Sequence, residues 1–145
     1  MRVSDAGQRI LHACGLQVTD TEIPPTAPSA IKAIHMVAGI DVEPTVSIDA
    51  AKCDAMEQLE LQWHEEAWPV LTAPGSGAFF ILLPGSGGAA AGWIPVNNIA
   101  TPGLPSRVAA ATGSHEFVAL SADGMNLCAV SEEEDEYWII VRPLH

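Results

Sequence analysis

Two residues with catalytic potential, Glu60 and His64, stand four positions apart in a stretch with helical periodicity. This spacing brings two side chains to one face of a helix, and a carboxylate beside an imidazole can act as a general acid–base pair. The alternative interpretation is that Glu60 and His64 form a solvent-exposed pair on a charged helix face and have no chemical role. No histidine pair has metal-ligand spacing. Because no catalytic motif is recognisable either, the sequence predicts that the protein is not an enzyme and has no catalytic, metal-ligating or cofactor-binding residue.

The glycine-rich residues 84–92 have the composition of a phosphate-binding loop. A dinucleotide site needs a helix directly after the glycines and a nearby acidic residue for the ribose. Pro95 leaves no room for that helix, and the next acidic residue is Glu116. Ser76 and Ser86 lie among glycines as hydrolase nucleophiles do, but a proline precedes each by two positions where the motif has glycine. We interpret the stretch as a flexible connection between strands.

Five consecutive acidic residues run from Glu132 to Glu136. Like charges in a row repel one another and add nothing to folding, so the run is either a solvated loop or a contact for a cationic partner. Calcium is disfavoured because consecutive carboxylates lack the alternating ligand spacing of a calcium loop. The candidate partner-binding residues are Glu132, Glu133, Glu134, Asp135 and Glu136, with a second set in the preceding helical stretch, Glu57, Glu60, Glu65 and Glu66.

The net charge of −12, from 18 acidic and 6 basic residues among 145, is concentrated in two blocks. Residues 41–68 hold eight acidic residues against Lys52, which gives −7, and residues 132–145 hold five against Arg142, which gives −4. A charge of this sign repels nucleic acid and anionic membranes, and it favours a basic protein partner.

The compartment that the sequence predicts is the cytoplasm. The N-terminus lacks the apolar stretch of a secretory signal, and three widely spaced cysteines do not form a disulfide framework. Residues 67–106 carry no formal charge, but Pro84, Pro95 and several glycines would break a membrane-spanning helix. We therefore expect no membrane association.

The pattern of apolar residues predicts a single α+β domain over residues 1–145, with N-terminal helices followed by a mostly antiparallel sheet. The predicted helices are a short one from Asp5 to Cys14, one from Pro28 to Ala38 ended by Gly39, and one from Asp49 to Ala67 closed by Pro69. The predicted strands are Val70–Leu71, Phe79–Leu83 and Trp93–Val96, and a C-terminal three-stranded meander of Phe117–Leu120, Asn126–Val130 and Tyr137–Val141. Residues 101–115 are predicted as a loop with one helical turn near Ser106–Ala111.

Three segments carry a resemblance to a known family: Ile23-Pro24-Pro25, the helix that ends at Ala38-Gly39-Ile40, and the run from Phe117 to Gly124. Over residues 20–142 the chain resembles the SUKH superfamily, found widely as bacterial immunity proteins. The resemblance implies a protein that neutralises a cognate toxin with a basic surface by occluding its active site. Two alternatives stay open: a small-ligand or scaffold module with residues 74–92 as a pocket rim, and an enzyme with a dispersed site that includes His64 and Glu60.

Overall fold

The structure is a computed structural model that describes residues 5–38, 42–72, 77–82, 92–98 and 103–144. Its helices are α1 (Asp5–Ala13), α2 (Ala30–Ala38), α3 (Ala55–Gln62), a π-helical turn (Trp63–Ala67), α4 (Trp68–Leu71) and α5 (Leu104–Thr112). Its strands are β1 (Leu16–Val18), β2 (Val46–Asp49), β3 (Ala78–Leu82), β4 (Ile94–Asn98), β5 (Phe117–Ser121), β6 (Asn126–Glu132) and β7 (Glu136–Pro143). Gly39, Ser76, Ser86 and most of the glycine-rich stretch lie outside the described residues.

The seven strands form one sheet in the order β1-β4-β3-β5-β6-β7-β2, and every neighbouring pair is antiparallel. Strands β5, β6 and β7 are the C-terminal meander, so the predicted α+β class and the meander are confirmed. Both edge strands, β1 and β2, come from the N-terminal half of the chain. Within the described ranges, no helix is long and apolar enough to cross a bilayer.

Helices cover both faces of the sheet. Phe79 and Ile81 of β3 pack with residues of α1, α3, the π-helical turn, α4 and α5, whereas Phe80 and Leu82 pack against α2. Successive residues of a strand point to opposite faces, so a strand covered on both sides is apolar throughout. This explains why β3 reads as an unbroken hydrophobic run.

The prediction of a strand at Val70–Leu71 was wrong, because these residues belong to the helix α4, which contains Pro69 in its first turn. Proline has no N–H to donate, so it breaks a helix interior but is accommodated in the first turn of a new helix. The π-helical turn ends the preceding helix so that α4 can begin as a new one: the backbone N–H of Trp68 donates to the carbonyl of Trp63, five residues earlier. The side chains of Trp63 and Trp68 are thereby placed on neighbouring turns.

Two other elements differ from their predictions. The predicted helix from Asp49 begins only at Ala55, because Val46–Asp49 forms β2 against β7. Residues 104–112 form a full helix rather than one turn in a loop, and Gly113 ends it in the left-handed conformation (φ 84°). The strands of three and four residues, β1 and β2, do alternate apolar and polar residues, but runs this short do not by themselves predict a strand, and pairing with distant strands determines them.

Candidate functional site

The acidic run connects β6 to β7 at one end of the sheet. Glu132 closes β6, Glu136 opens β7, and the backbone N–H of Glu133 donates to the carbonyl of Glu136 (2.8 Å). Asp49, at the end of edge strand β2, is paired with Glu136. Together Asp49 and Glu133–Glu136 line an open depression of about 470 Å³, and we call these five residues the acidic surface. The fold thus adds one carboxylate from the first acidic block to four from the second.

Glu132 has a structural role that separates it from the rest of the run. Its Oε1 accepts hydrogen bonds from the Ser114 hydroxyl (2.6 Å) and the His115 backbone N–H (2.7 Å). Burial alone would raise the pKa of Glu132, but these hydrogen bonds and the nearby His115 outweigh it and hold the pKa below its ordinary value. The Glu132 carboxylate therefore fastens residues 114–115 to β6.

Two more of the predicted residues accept hydrogen bonds from nearby side chains. Glu136 accepts hydrogen bonds from the Ser47 hydroxyl and from the indole N–H of Trp138, both at 3.1 Å. Glu133 accepts one from the Ser131 hydroxyl. Within the described part of the chain, the exposed side chains of Glu134 and Asp135 make no hydrogen bond or ion pair. The free charge of the run is therefore concentrated in its middle.

The second predicted set divides in a similar way. Glu57, Glu65 and Glu66 are exposed, as expected for a contact face. Glu60 is half-buried, and its Oε1 accepts the backbone N–H of Ser106 (2.6 Å) in the first turn of α5. A carboxylate at a helix N-terminus satisfies an otherwise unpaired N–H and interacts favourably with the helix dipole. Glu60 thus joins α3 to α5 and does not belong to the exposed face.

Glu60 and His64 do meet in one cleft, which has a volume of about 230 Å³. Trp63, Trp68 and Asn98 also line it. The indole N–H of Trp63 is buried and has no hydrogen-bond acceptor among the residues that the structure describes. Sequence reasoning found the Glu60–His64 pair but missed Asn98, since nothing in the local pattern around β4 links it to α3.

Arg107 of α5 lies behind this cleft and ties three elements together. Its Nε donates to the carbonyl of Cys14 (2.7 Å), and its Nη2 donates to Oδ1 of Asn98 (3.1 Å). Burial lowers the pKa of Arg107, and the negative charge of Glu60 partly opposes this effect. The guanidinium is thus held by the end of α1 and by β4.

In residues 5–38, 42–72, 77–82, 92–98 and 103–144, no three His, Cys, Asp or Glu side chains are grouped to hold a metal ion. Comparison with models of protein families, with curated proteins and with solved structures gave no match.

Proposed function

We propose that this chain is a bacterial immunity protein that works in the cytoplasm and neutralises a cognate toxin by binding it through the acidic surface. The observation that carries the proposal is the pair of exposed, unpaired carboxylates of Glu134 and Asp135, presented beside Asp49 at the edge of the sheet. Carboxylates that make no hydrogen bond or ion pair within the described fold can bind a basic surface on another protein. The SUKH-like pattern of the sequence supports the same conclusion.

The half-buried Trp138 gives this surface an apolar neighbour. The register pairs Ser47 with Trp138 and Asp49 with Glu136, so these four side chains share one face of the sheet at its edge. Tryptophan is enriched among residues that dominate the binding energy of interfaces, and surrounding polar residues exclude water from it. An aromatic residue bordered by carboxylates suits a partner surface rich in arginine or lysine.

Inhibition then needs no chemistry by this chain. A toxin that cleaves or modifies nucleic acid needs a basic substrate groove, and carboxylates can occupy such a groove in place of phosphates. Opposite charge accelerates the encounter, and the bulk of the sheet edge blocks substrate access. The partner in this proposal is a protein with a basic surface, not nucleic acid or a membrane.

The test begins with capture of the partner from the host lysate at low salt, followed by measurement of affinity against salt concentration. The variant Glu134→Gln/Asp135→Asn removes two charges with little change of shape. Its matched control, Asp20→Asn/Glu22→Gln, removes two exposed charges far along the chain from both acidic blocks. We expect the first variant to bind about ten-fold more weakly at low salt and to show a flatter salt dependence.

The control variant should bind like the unmodified protein, and the captured partner's activity should be inhibited by the unmodified protein. Equal affinity of the two variants at low salt would remove the acidic surface from the interface. Capture of no basic protein at any salt concentration would contradict the immunity function itself.

A further inference from the structure

We propose that the cleft between α3, the π-helical turn and α5 binds an organic cation, a guanidinium or ammonium group, and that Glu60 is its anionic contact. This inference does not depend on the toxin partner, because the cleft does not include the residues of the acidic surface. It arises from four features of the cleft: its size, its carboxylate, its two tryptophans and the π-helical turn that contributes to its lining.

The size of the cleft limits its occupant. At about 230 Å³ it is smaller than the roughly 300–1,000 Å³ of sites for drug-sized ligands, so it suits a group the size of one side chain. Gly103 contributes to this space. A Cβ at position 103 would lie 3.9 Å from Oε2 of Glu60 and 3.9 Å from Nη1 of Arg107, and the backbone there has φ +122°. Glycine therefore keeps this side of the cleft free of a side chain.

The carboxylate decides the sign of the ligand. Oε1 of Glu60 is held by the Ser106 N–H, which fixes the orientation of the carboxylate in the lining of the cleft. An anion would be repelled by the carboxylate, and an apolar group would remove water from it without adding an opposite charge. The guanidinium of Arg107 balances part of the charge of Glu60, but Arg107 is not among the residues that line the cleft, whereas Glu60 is. A cation is therefore the favoured occupant.

The aromatic lining strengthens this assignment. Trp63 and Trp68 both line the cleft, and indole rings attract guanidinium and ammonium groups. The rings are held in place by edge-to-face contacts, Trp63 with Phe117 (centroids 4.9 Å apart) and Trp68 with Phe79 (6.0 Å). A site with fixed rings loses little freedom on binding.

The π-helical turn lies at the same cleft. Single π-helical turns within helices are frequent at functional sites. Here the turn begins at Trp63, and Trp63 and His64 both line the cleft.

The experiment follows the indole N–H signals of the folded protein by NMR during titration with N-acetyl-arginine amide. Its neutral isostere, N-acetyl-citrulline amide, has the same shape without the charge. Glu60→Gln keeps an oxygen for the Ser106 N–H and removes the charge, and the matched control Glu57→Gln removes an exposed charge one turn earlier. Urea unfolding checks that both variants are folded.

We expect saturable shifts of the Trp63 and Trp68 signals with the arginine compound, at least about five-fold weaker binding of Glu60→Gln, and less than two-fold for Glu57→Gln. A third titration with agmatine distinguishes the sources of the cation. Tighter binding of agmatine indicates a free small amine, and tighter binding of the arginine amide indicates a protein side chain.

Three results would overturn the proposal. The first is no shift at ligand concentrations up to about 50 mM, where a binding free energy of about 2 kcal/mol would be visible. The second is equal binding of the citrulline compound, and the third is equal loss of affinity in the Glu60 and Glu57 variants.

Discussion

Replacement of Glu132 by alanine should destabilise the protein, although the same replacement of Glu134, two positions along the acidic run, should not. Glu132→Ala removes the acceptor of two hydrogen bonds, from the Ser114 hydroxyl and the His115 N–H. Hydrogen bonds to a charged group contribute about 1.5–3 kcal/mol each when buried. The Glu132 side chain is 36 % exposed, so water replaces part of this, and we expect a loss of about 1–2 kcal/mol.

Glu134→Ala is the matched control, because that exposed side chain makes no hydrogen bond or ion pair with the described residues. Its free energy of unfolding should change by less than about 0.5 kcal/mol, since surface replacements without specific contacts have small effects. The assay is urea unfolding at pH 7 followed by tryptophan fluorescence, with the midpoint and the slope compared.

The pH dependence provides a second test of the same reasoning. The pKa of Glu132 is lowered in the folded protein, so its contribution is present above the unfolded pKa of about 4.3 and disappears as the pH falls through the folded value. The difference between the Glu132 and Glu134 variants should therefore shrink in acid. Equal stability of the two variants at pH 7, or a difference that persists unchanged well below the folded pKa, would refute the structural role of Glu132.

Two further predictions concern backbone and thiol chemistry. Gly124→Ala should lower the free energy of unfolding by about 2–4 kcal/mol, because a Cβ there would lie 3.0 Å from Cβ of Pro24 and the backbone has φ +76°. Gly113→Ala, whose Cβ would have no atom within 4 Å, should lower it by only the conformational penalty of about 1 kcal/mol. Equal losses in urea unfolding would argue against the Pro24 contact. A thiol reagent should modify the exposed Cys53 rapidly in the native protein and Cys128 only after unfolding, since burial raises the pKa of Cys128 to about 12. Rapid labelling of Cys128 in the native Cys53→Ser variant would contradict this.

The parts of the fold that the sequence predicted are those determined by local chemistry. The turn at Asp123-Gly124 shows this: Asp123 accepts hydrogen bonds from the Ser121 hydroxyl (2.6 Å) and the Met125 N–H (2.9 Å), and the glycine takes a positive φ. These interactions lie within five residues, so composition and spacing reveal them. The apolar run of β3 can likewise be recognised from the sequence alone.

The parts that were missed depend on partners far along the chain. Val46–Asp49 alternates apolar and polar residues, but four residues are too few to predict a strand, and the segment becomes one because β7 supplies the hydrogen bonds. In the candidate sites, the acidic residues were visible in the sequence, but the difference between Glu132 and Glu134 was not. It arises from Ser114 and His115, whose approach to β6 is a property of the folded sheet.

The pairing of both edge strands has a consequence for the order of folding. Val46 of β2 pairs with Ile139, and Leu16 of β1 pairs with Asn98, so each edge closes across most of the chain. Contacts this distant are slow to form, because the entropy of loop closure is lost before the pairing stabilises anything. During synthesis β2 must wait until β7 has left the ribosome. Asp49 and Glu136 therefore come together late, and the acidic surface is completed only after the meander has formed.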